Sequence, residues 1–244
     1  MAVLALKDFK LRYRNSVLGF VWSLLNPLAY MVILTAVFSM LLRSNVPDYA
    51  PWVLIGLLIW RLFSVSTSQS LQSIIGNPSL VNKVYIPRYL IILSNNLANL
   101  MGSSLEFVVL LPLLVAFGVR ATWYFLFLPF IVLTEFLLAF ALSLSLASLN
   151  VKYRDFYQLW EIALQLGFFL SPIVYDPTLI PQHYQFIYSL NPLAQLIQVA
   201  RDALLYARPP TQFSMAVILT ATLLVLLLGV TVFRRLEPKF PEEL

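Results

Sequence analysis

The sequence has no cysteine, one histidine and seven glycines in 244 residues. Without cysteine there is no disulfide, no thiolate metal site and no thiol nucleophile. None of the seven glycines precedes a lysine, so the phosphate-cradling Gly-x-x-x-x-Gly-Lys-Ser/Thr loop is missing. The chain therefore has no P-loop of its own. His183 with Asp176 makes a single ligand pair, too few for a metal site. Charge is also scarce. Only 11% of residues are charged, where a soluble domain carries about 25%.

Apolar residues fill the space. They make up 60% of the chain, and the mean hydropathy is +0.84. They fall into six blocks, over 20–42, 53–73, 90–117, 123–149, 157–175 and 213–233. Each is long enough to span a bilayer as a helix. Backbone groups in lipid must pair within their own segment, and Met31 to Leu42 lacks the alternation of a barrel strand. The expected fold is an all-α integral membrane protein of six transmembrane helices. Residues 1–244 form one membrane domain, without linker, low-complexity tract or repeat.

The basic residues set the expected orientation. Eleven fall in loops 1–19, 74–89, 150–156 and 234–244, and four in 43–52, 118–122 and 176–212. Lysine and arginine collect on the cytoplasmic side, so both termini are expected inside. Topology thus accounts for the net charge of +5, and nucleic acid is not an expected partner. Lys7, Asp8, Lys10, Arg12 and Arg14 precede the first block, which reads as an uncleaved anchor.

Three segments are not simple spans. At helical spacing, Ala2, Ala5, Leu6, Phe9 and Tyr13 share one arc, and Lys7, Lys10 and Arg14 the next. This is the pattern of a helix lying on an anionic membrane surface, or of a basic flank that only fixes topology. In loop 76–89, Asn77 and Pro78 read as cap and first position of a short helix that Pro87 ends. Such a helix is a handle for a soluble partner, or an ordinary connector. In 176–212, Asn191 and Pro192 read as another cap and first-turn proline. Leu193, Leu196, Ile197, Ala200 and Leu204 follow on one side, with Gln195, Gln198, Arg201 and Asp202 opposite. That predicts an amphipathic helix dipping into or lying on the outer leaflet.

Charges inside lipid are costly and face a partner or a cavity. Arg61, Glu106 and Glu135 fall at similar depth, so Arg61 is expected to pair with one of the two glutamates. Asn95, Asn99, Gly102 and Glu106 form a polar stripe on the third block. Glu161 with Gln158 and Gln165 forms another on the fifth, a candidate hydrophilic path or a structural hydrogen bond to another helix. Phe168, Phe169 and Tyr175 either face lipid or pack against other helices, or stack on sugar rings in a channel, while Trp52, Trp123 and Tyr124 read as interfacial belt residues. Ser94, Ala98 and Gly102, like Ala139, Ser143 and Ala147, repeat every four residues and permit close helix packing.

The run Leu11-Arg12-Tyr13-Arg14-Asn15-Ser16-Val17-Leu18-Gly19-Phe20-Val21-Trp22-Ser23-Leu24-Leu25-Asn26-Pro27-Leu28 resembles the N-terminal signature of ABC-2-type permeases. It is most similar to subunits that export O-antigen, capsular polysaccharide or teichoic acid. Asn150-Val151-Lys152-Tyr153-Arg154-Asp155, Ser171-Pro172-Ile173-Val174-Tyr175, Asn191-Pro192-Leu193 and Arg201-Asp202 extend the resemblance in order along the chain. It implies a homodimer in the bacterial inner membrane bound to two ATPase subunits, which hold the ATP and Mg²⁺. The chain itself would bind no cofactor and catalyse no covalent step. An interface helix would carry Lys7, Phe9, Lys10, Arg12, Tyr13 and Arg14. A cytoplasmic coupling helix over 77–88 would carry Asn77, Pro78, Leu80, Val81, Lys83, Tyr85 and Arg88. External gate helices over 178–204 would carry Tyr184, Asn191, Pro192, Arg201 and Asp202. Substrate would be an undecaprenyl-type lipid-linked polysaccharide, with membrane lipids around it. Its path would take in Asn95, Asn99, Glu106, Glu161, Gln165, Phe168, Phe169 and Tyr175. The rival expectations are export of a small hydrophobic compound, an integral-membrane glycosyltransferase and a secondary transporter.

Overall fold

The computed structural model describes residues 21–41, 46–83 and 87–243. Among them every regular element is helical. Helix α1 is Val21–Thr35, with Pro27 inside it, and it runs on into a π-helical stretch, Ala36–Leu41. Helix α2 is Tyr49–Ser73, α3 Pro78–Lys83 and α4 Tyr89–Ala116. A 3₁₀ turn, Trp123–Phe127, leads into α5, Leu128–Lys152. Helix α6 is Phe156–Leu170, α7 Gln182–Ser189 and α8 Pro192–Leu204. Helix α9, Gln212–Leu236, is followed by a 3₁₀ turn at Glu237–Lys239 and a last helical turn, α10, Phe240–Glu243. The expected surface helix over residues 2–14 lies outside the described residues.

Four helices are long and apolar enough to cross a membrane: α2, α4, α5 with its leading turn, and α9. The fifth block departs from expectation. Its helix stops at Leu170 after 15 residues, about 22 Å against a hydrocarbon core of about 30 Å. Pro172 is the reason. It lacks an amide hydrogen and forces the residue before it out of the helical region. Ser171 accordingly sits at φ −99°, ψ 146°.

Helix α2 is the axis of the bundle. Val53, Ile55, Ile59 and Leu62 are fully buried, against neighbours from α1, α4, α5, α6 and α8. Helix α9 is peripheral. It packs on α5 and turns Leu219, Leu223, Leu224, Leu227 and Leu228 outward. Lipid is as apolar as leucine, so close packing and buried hydrogen bonds bind such helices to each other. Gly229 shows the close packing: a Cβ there would overlap the Ala141 carbonyl oxygen. Asn150 supplies a hydrogen bond across the bundle, donating through Nδ2 to the Leu71 carbonyl at 2.9 Å. Ala98, Ala139, Ser143 and Ala147 are all buried at helix contacts. A second apolar cluster closes one end of the bundle, joining Ile74, Val81, Ile91, Val151, Phe233 and Phe240.

Candidate functional site

Between α1, α2 and α6 lies an open cleft of about 500 Å³. Asn26, Pro27 and Tyr30 line it from α1, and Leu57, Trp60, Arg61, Ser64 and Val65 from α2. Glu161, Leu164, Gln165, Phe168 and Phe169 line it from α6. Its wall is a run of aromatic rings. Phe168 sits edge-on to Trp60 at 6.0 Å and to Phe169 at 5.3 Å. Behind the lining, Trp60 leads on to Phe63 at 6.1 Å, and Phe63 to Trp160 at 6.4 Å. Gly167 lets α6 approach the Trp60 indole, since a Cβ there would come within 2.9 Å of the ring.

Polar groups punctuate this wall. Arg61 donates through Nε to Glu106 Oε1 at 3.1 Å. Ser68 donates to Oε1 of the lining residue Glu161, and behind the wall Trp160 donates through Nε1 to the buried Thr67 Oγ1 at 3.1 Å. Carbohydrate suits such a surface. Apolar sugar faces lie against aromatic rings, while hydroxyls need the amides, hydroxyls and charges set between them.

Of the residues expected along a path, Glu161, Gln165, Phe168 and Phe169 share the cleft. Tyr175 stands past the end of α6 and donates its hydroxyl to the Phe169 carbonyl at 3.0 Å. The α4 stripe turns elsewhere, into α2. Asn95 Oδ1 accepts from Asn99 Nδ2 at 3.2 Å and from Ser70 Oγ at 3.4 Å. Asn96 donates to Ser70 Oγ at 2.8 Å. Glu106 reaches the cleft through Arg61. Glu135 is fully buried on α5 near the backbone of Phe63, apart from the ion pair. The sequence pattern does not single out Tyr30, Trp60 or Ser64, and it brings in Asn26 only as part of the run 11–28. The signals were a polar Asn-Pro inside the first apolar block, and an aromatic residue beside the charge in the second.

At the other end of α2, Pro78 opens α3. Asn77 does not cap that helix with its side chain, as the sequence suggested. It donates back through Nδ2 to the Ser73 carbonyl at 2.9 Å, capping the end of α2. Val81 is buried against the second apolar cluster, so it docks α3 onto the bundle. Asn77 and Pro78 are exposed, and Leu80 half-buried. Arg88 donates through Nη1 to the Glu237 carbonyl at 2.9 Å, tying the start of α4 to the C-terminal turn. Tyr85 and the Lys83 side chain lie outside the described residues, as do Lys7, Phe9, Lys10, Arg12, Tyr13 and Arg14.

The segment after α6 folds back into the bundle. Asn191 caps α8, accepting from the amides of Leu193 at 3.0 Å and Ala194 at 3.4 Å, with Pro192 at the first position. Helix α8 is not a surface helix, because its expected polar side is largely covered too. Gln195 accepts a hydrogen bond from Ser214 Oγ at 2.7 Å. Arg201 is fully buried, because its guanidinium finds three backbone acceptors. Nε donates to Trp52 at 3.1 Å, Nη1 to Pro172 at 2.7 Å and Nη2 to Ile173 at 3.2 Å. The guanidinium also lies 3.3 Å from the centre of the Trp52 indole. Trp52 is thus buried beneath a cation and is not a belt residue, whereas Trp123 is 87% exposed.

Burial lowers the Arg201 pKa to about 9, and the Tyr188, Tyr206 and Tyr49 hydroxyls work against that fall. The group still carries its charge at neutral pH. Burial also raises the Asp202 carboxyl, although Gln198 donates to it at 3.1 Å. On α7, Tyr184 is exposed and its ring lies 3.9 Å from that of His183.

Known proteins give this arrangement its context. The sequence model of the ABC-2 type transporter family matches residues 1–205. An O-antigen export system permease protein, RfbA, of Klebsiella pneumoniae is 30% identical over 247 residues, covering 99% of this chain and 93% of that protein. An RfbA of Myxococcus xanthus is 28% identical over 98% of this chain and 92% of its own length. A polysialic acid transport protein, KpsM, of Escherichia coli is 25% identical over 96% and 92%. A match over most of the chain, together with its long apolar helices, makes this a multi-pass membrane protein that belongs to the ABC-2 type transporter family.

Proposed function

We propose that this chain is the permease subunit of an ATP-driven exporter of lipid-linked polysaccharide, and that the α1–α2–α6 cleft is its share of the translocation path. The cleft carries the reading, with aromatic faces and hydrogen-bonding groups on one wall. Relatives named for O-antigen export and polysialic acid transport support the substrate class.

In this reading two copies of the chain sit in the bacterial inner membrane with both termini inside, each crossing six times. Residues 1–19 lie along the cytoplasmic surface. Two separate ATPase subunits bind ATP and Mg²⁺, in keeping with a chain that has no P-loop. They push on α3 through its exposed Asn77 and Pro78 edge. That edge is continuous with α2, so the push is delivered to the helix that carries Trp60, Arg61 and Ser64. The helices shift against one another as packed bodies, and the polymer advances along the rings. Tyr184, Asn191 and Pro192, on the external segment, border the exit. The chain forms no covalent bond with its cargo.

The test is reconstitution with the partner ATPase in vesicles. Trp60→Ala with Phe168→Ala is expected to abolish polymer export while ATPase binding survives. Undiminished polymer export by that variant, or export of a small hydrophobic compound in place of polymer, would defeat the reading.

A further inference from the structure

Arg201 does something that neither the apolar pattern nor the proposed path requires. A fully buried cation is costly unless its hydrogen bonds are met. Among the described residues no carboxylate forms an ion pair with it. Its acceptors are instead three backbone carbonyls from two places. One is Trp52, at the start of α2. The others are Pro172 and Ile173, on the strand of chain that follows the end of α6. These carbonyls matter because the end of α6 is an interrupted helix, and its last turns carry Phe168 and Phe169. Helix α2 carries Trp60 and Arg61 on the facing wall. Gly56 makes room for the arrangement, since a Cβ there would lie 2.8 Å from Arg201 Nη2.

We propose that Arg201 is a positioning residue for the cleft: its planar guanidinium staples the end of α6 to α2 and so sets how far the Phe168–Phe169 wall stands from Trp60. The inference rests on the reading of that cleft as the path. Geometry favours arginine for the task. One rigid fork reaches acceptors on two elements while its face covers the indole. Lysine, a single point of donors on a flexible stem, meets only part of that set.

The experiment uses the full permease with its ATPase partner in proteoliposomes. The chain has no cysteine, so Gln165→Cys places one thiol in the cleft. Its labelling by a small and by a bulky maleimide is compared in the Arg201 parent, in Arg201→Lys and in Gly56→Ala, which keeps the cation but crowds it off α2. Gly229→Ala, which disturbs the α5–α9 contact away from the cleft, controls for general loosening. The expected result is that both Arg201→Lys and Gly56→Ala raise the bulky-to-small labelling ratio by about fivefold or more, and Gly229→Ala does not. An unchanged ratio in the first two, a rise of equal size in Gly229→Ala, or loss of insertion in both would make Arg201 a folding residue only and overturn the proposal. Export is read separately. If saturating Gln165→Cys with the bulky maleimide left export intact, the path reading would fail, whatever the labelling ratios.

Discussion

Arg61 and Glu106 meet at 3.1 Å across the contact between α2 and α4. The carboxylate is almost wholly buried, while the arginine side chain keeps 27% of its surface toward the cleft. One partner anchors, and the other presents charge to the cavity. Removing the anchor is worse than exchanging the pair. Glu106→Ala strands a cation at depth and is expected to destabilise the protein by about 2–4 kcal/mol. Arg61→Glu with Glu106→Arg should recover a good part of that. Thermal unfolding in detergent of the two single variants and the exchange decides it, and an exchange no better than either single variant would count against the pair.

Truncating one ring of the aromatic wall should cost transport before it costs folding. Phe168→Ala is expected to slow polymer export by about fivefold, the equivalent of the roughly 1 kcal/mol that aromatic contacts contribute beyond burial. Insertion and ATPase binding should remain. Equal loss of export and of folded protein would make the ring a packing element only.

Gly167 offers a gentler probe. A methyl group there must displace the Trp60 indole, which lies 2.9 Å from the position of the new atom. Gly167→Ala should destabilise the fold by about 1–3 kcal/mol, as overpacking does, and push the indole toward the cavity. A change in tryptophan emission that accompanies slower export would reveal the movement.

At the cytoplasmic end of the proposed topology, buried and exposed positions of α3 should behave differently. Val81→Asp puts a charge into the cluster of Ile74, Ile91 and Phe240, so accumulation of the protein is expected to fall sharply. Pro78→Glu changes an exposed first-turn position where an acid is tolerated. It should leave insertion intact and reduce the stimulation of ATP hydrolysis by the permease. Normal stimulation in Pro78→Glu would remove α3 from the coupling path.

Asp202 gives a prediction with a sign in pH. Burial raises its folded-state pKa above the unfolded value, so the folded protein binds that proton more tightly. Its contribution to stability is then fullest below the unfolded pKa and is lost as pH rises through the folded one. Asp202→Asn should flatten this decline, which sets in at the ordinary aspartate range and runs upward from it, while keeping a partner for Gln198. Unfolding curves at several pH values test it, and identical pH dependence in both proteins would refute the assignment.

Much of this architecture was legible in one dimension. Apolar blocks located the long helices, and Asn191-Pro192 marked the start of α8 before any coordinates. Pairing of Arg61 with a glutamate followed from the cost of lone charges in lipid. Elsewhere periodicity misled for physical reasons. Arg201 sat on the polar side of an amphipathic wheel, yet backbone carbonyls from α2 and from the turn after α6 drew it inward, and a wheel cannot show distant carbonyls. The fifth block was apolar through Tyr175, yet Pro172 stopped its helix early. Val81 is a partner contact by family resemblance alone, and no local pattern shows that it shares a buried cluster with Phe240 from the far end of the chain.

The unbroken run of α2 has a mechanical meaning. From Tyr49 to Ser73 its sole proline is Pro51, in the first turn, so about 37 Å of rod has no joint. One tip is gripped by the Arg201 fork and the other by the Asn77 amide. A rod held at its tips and surrounded by neighbours tilts as a whole. A rotation of about 3° moves one end by about 2 Å relative to the other, comparable to the shear steps known between packed helices. Small strokes at the α3 end, which the proposed topology puts inside the cell, would then be felt at the opposite leaflet without any relay of side chains.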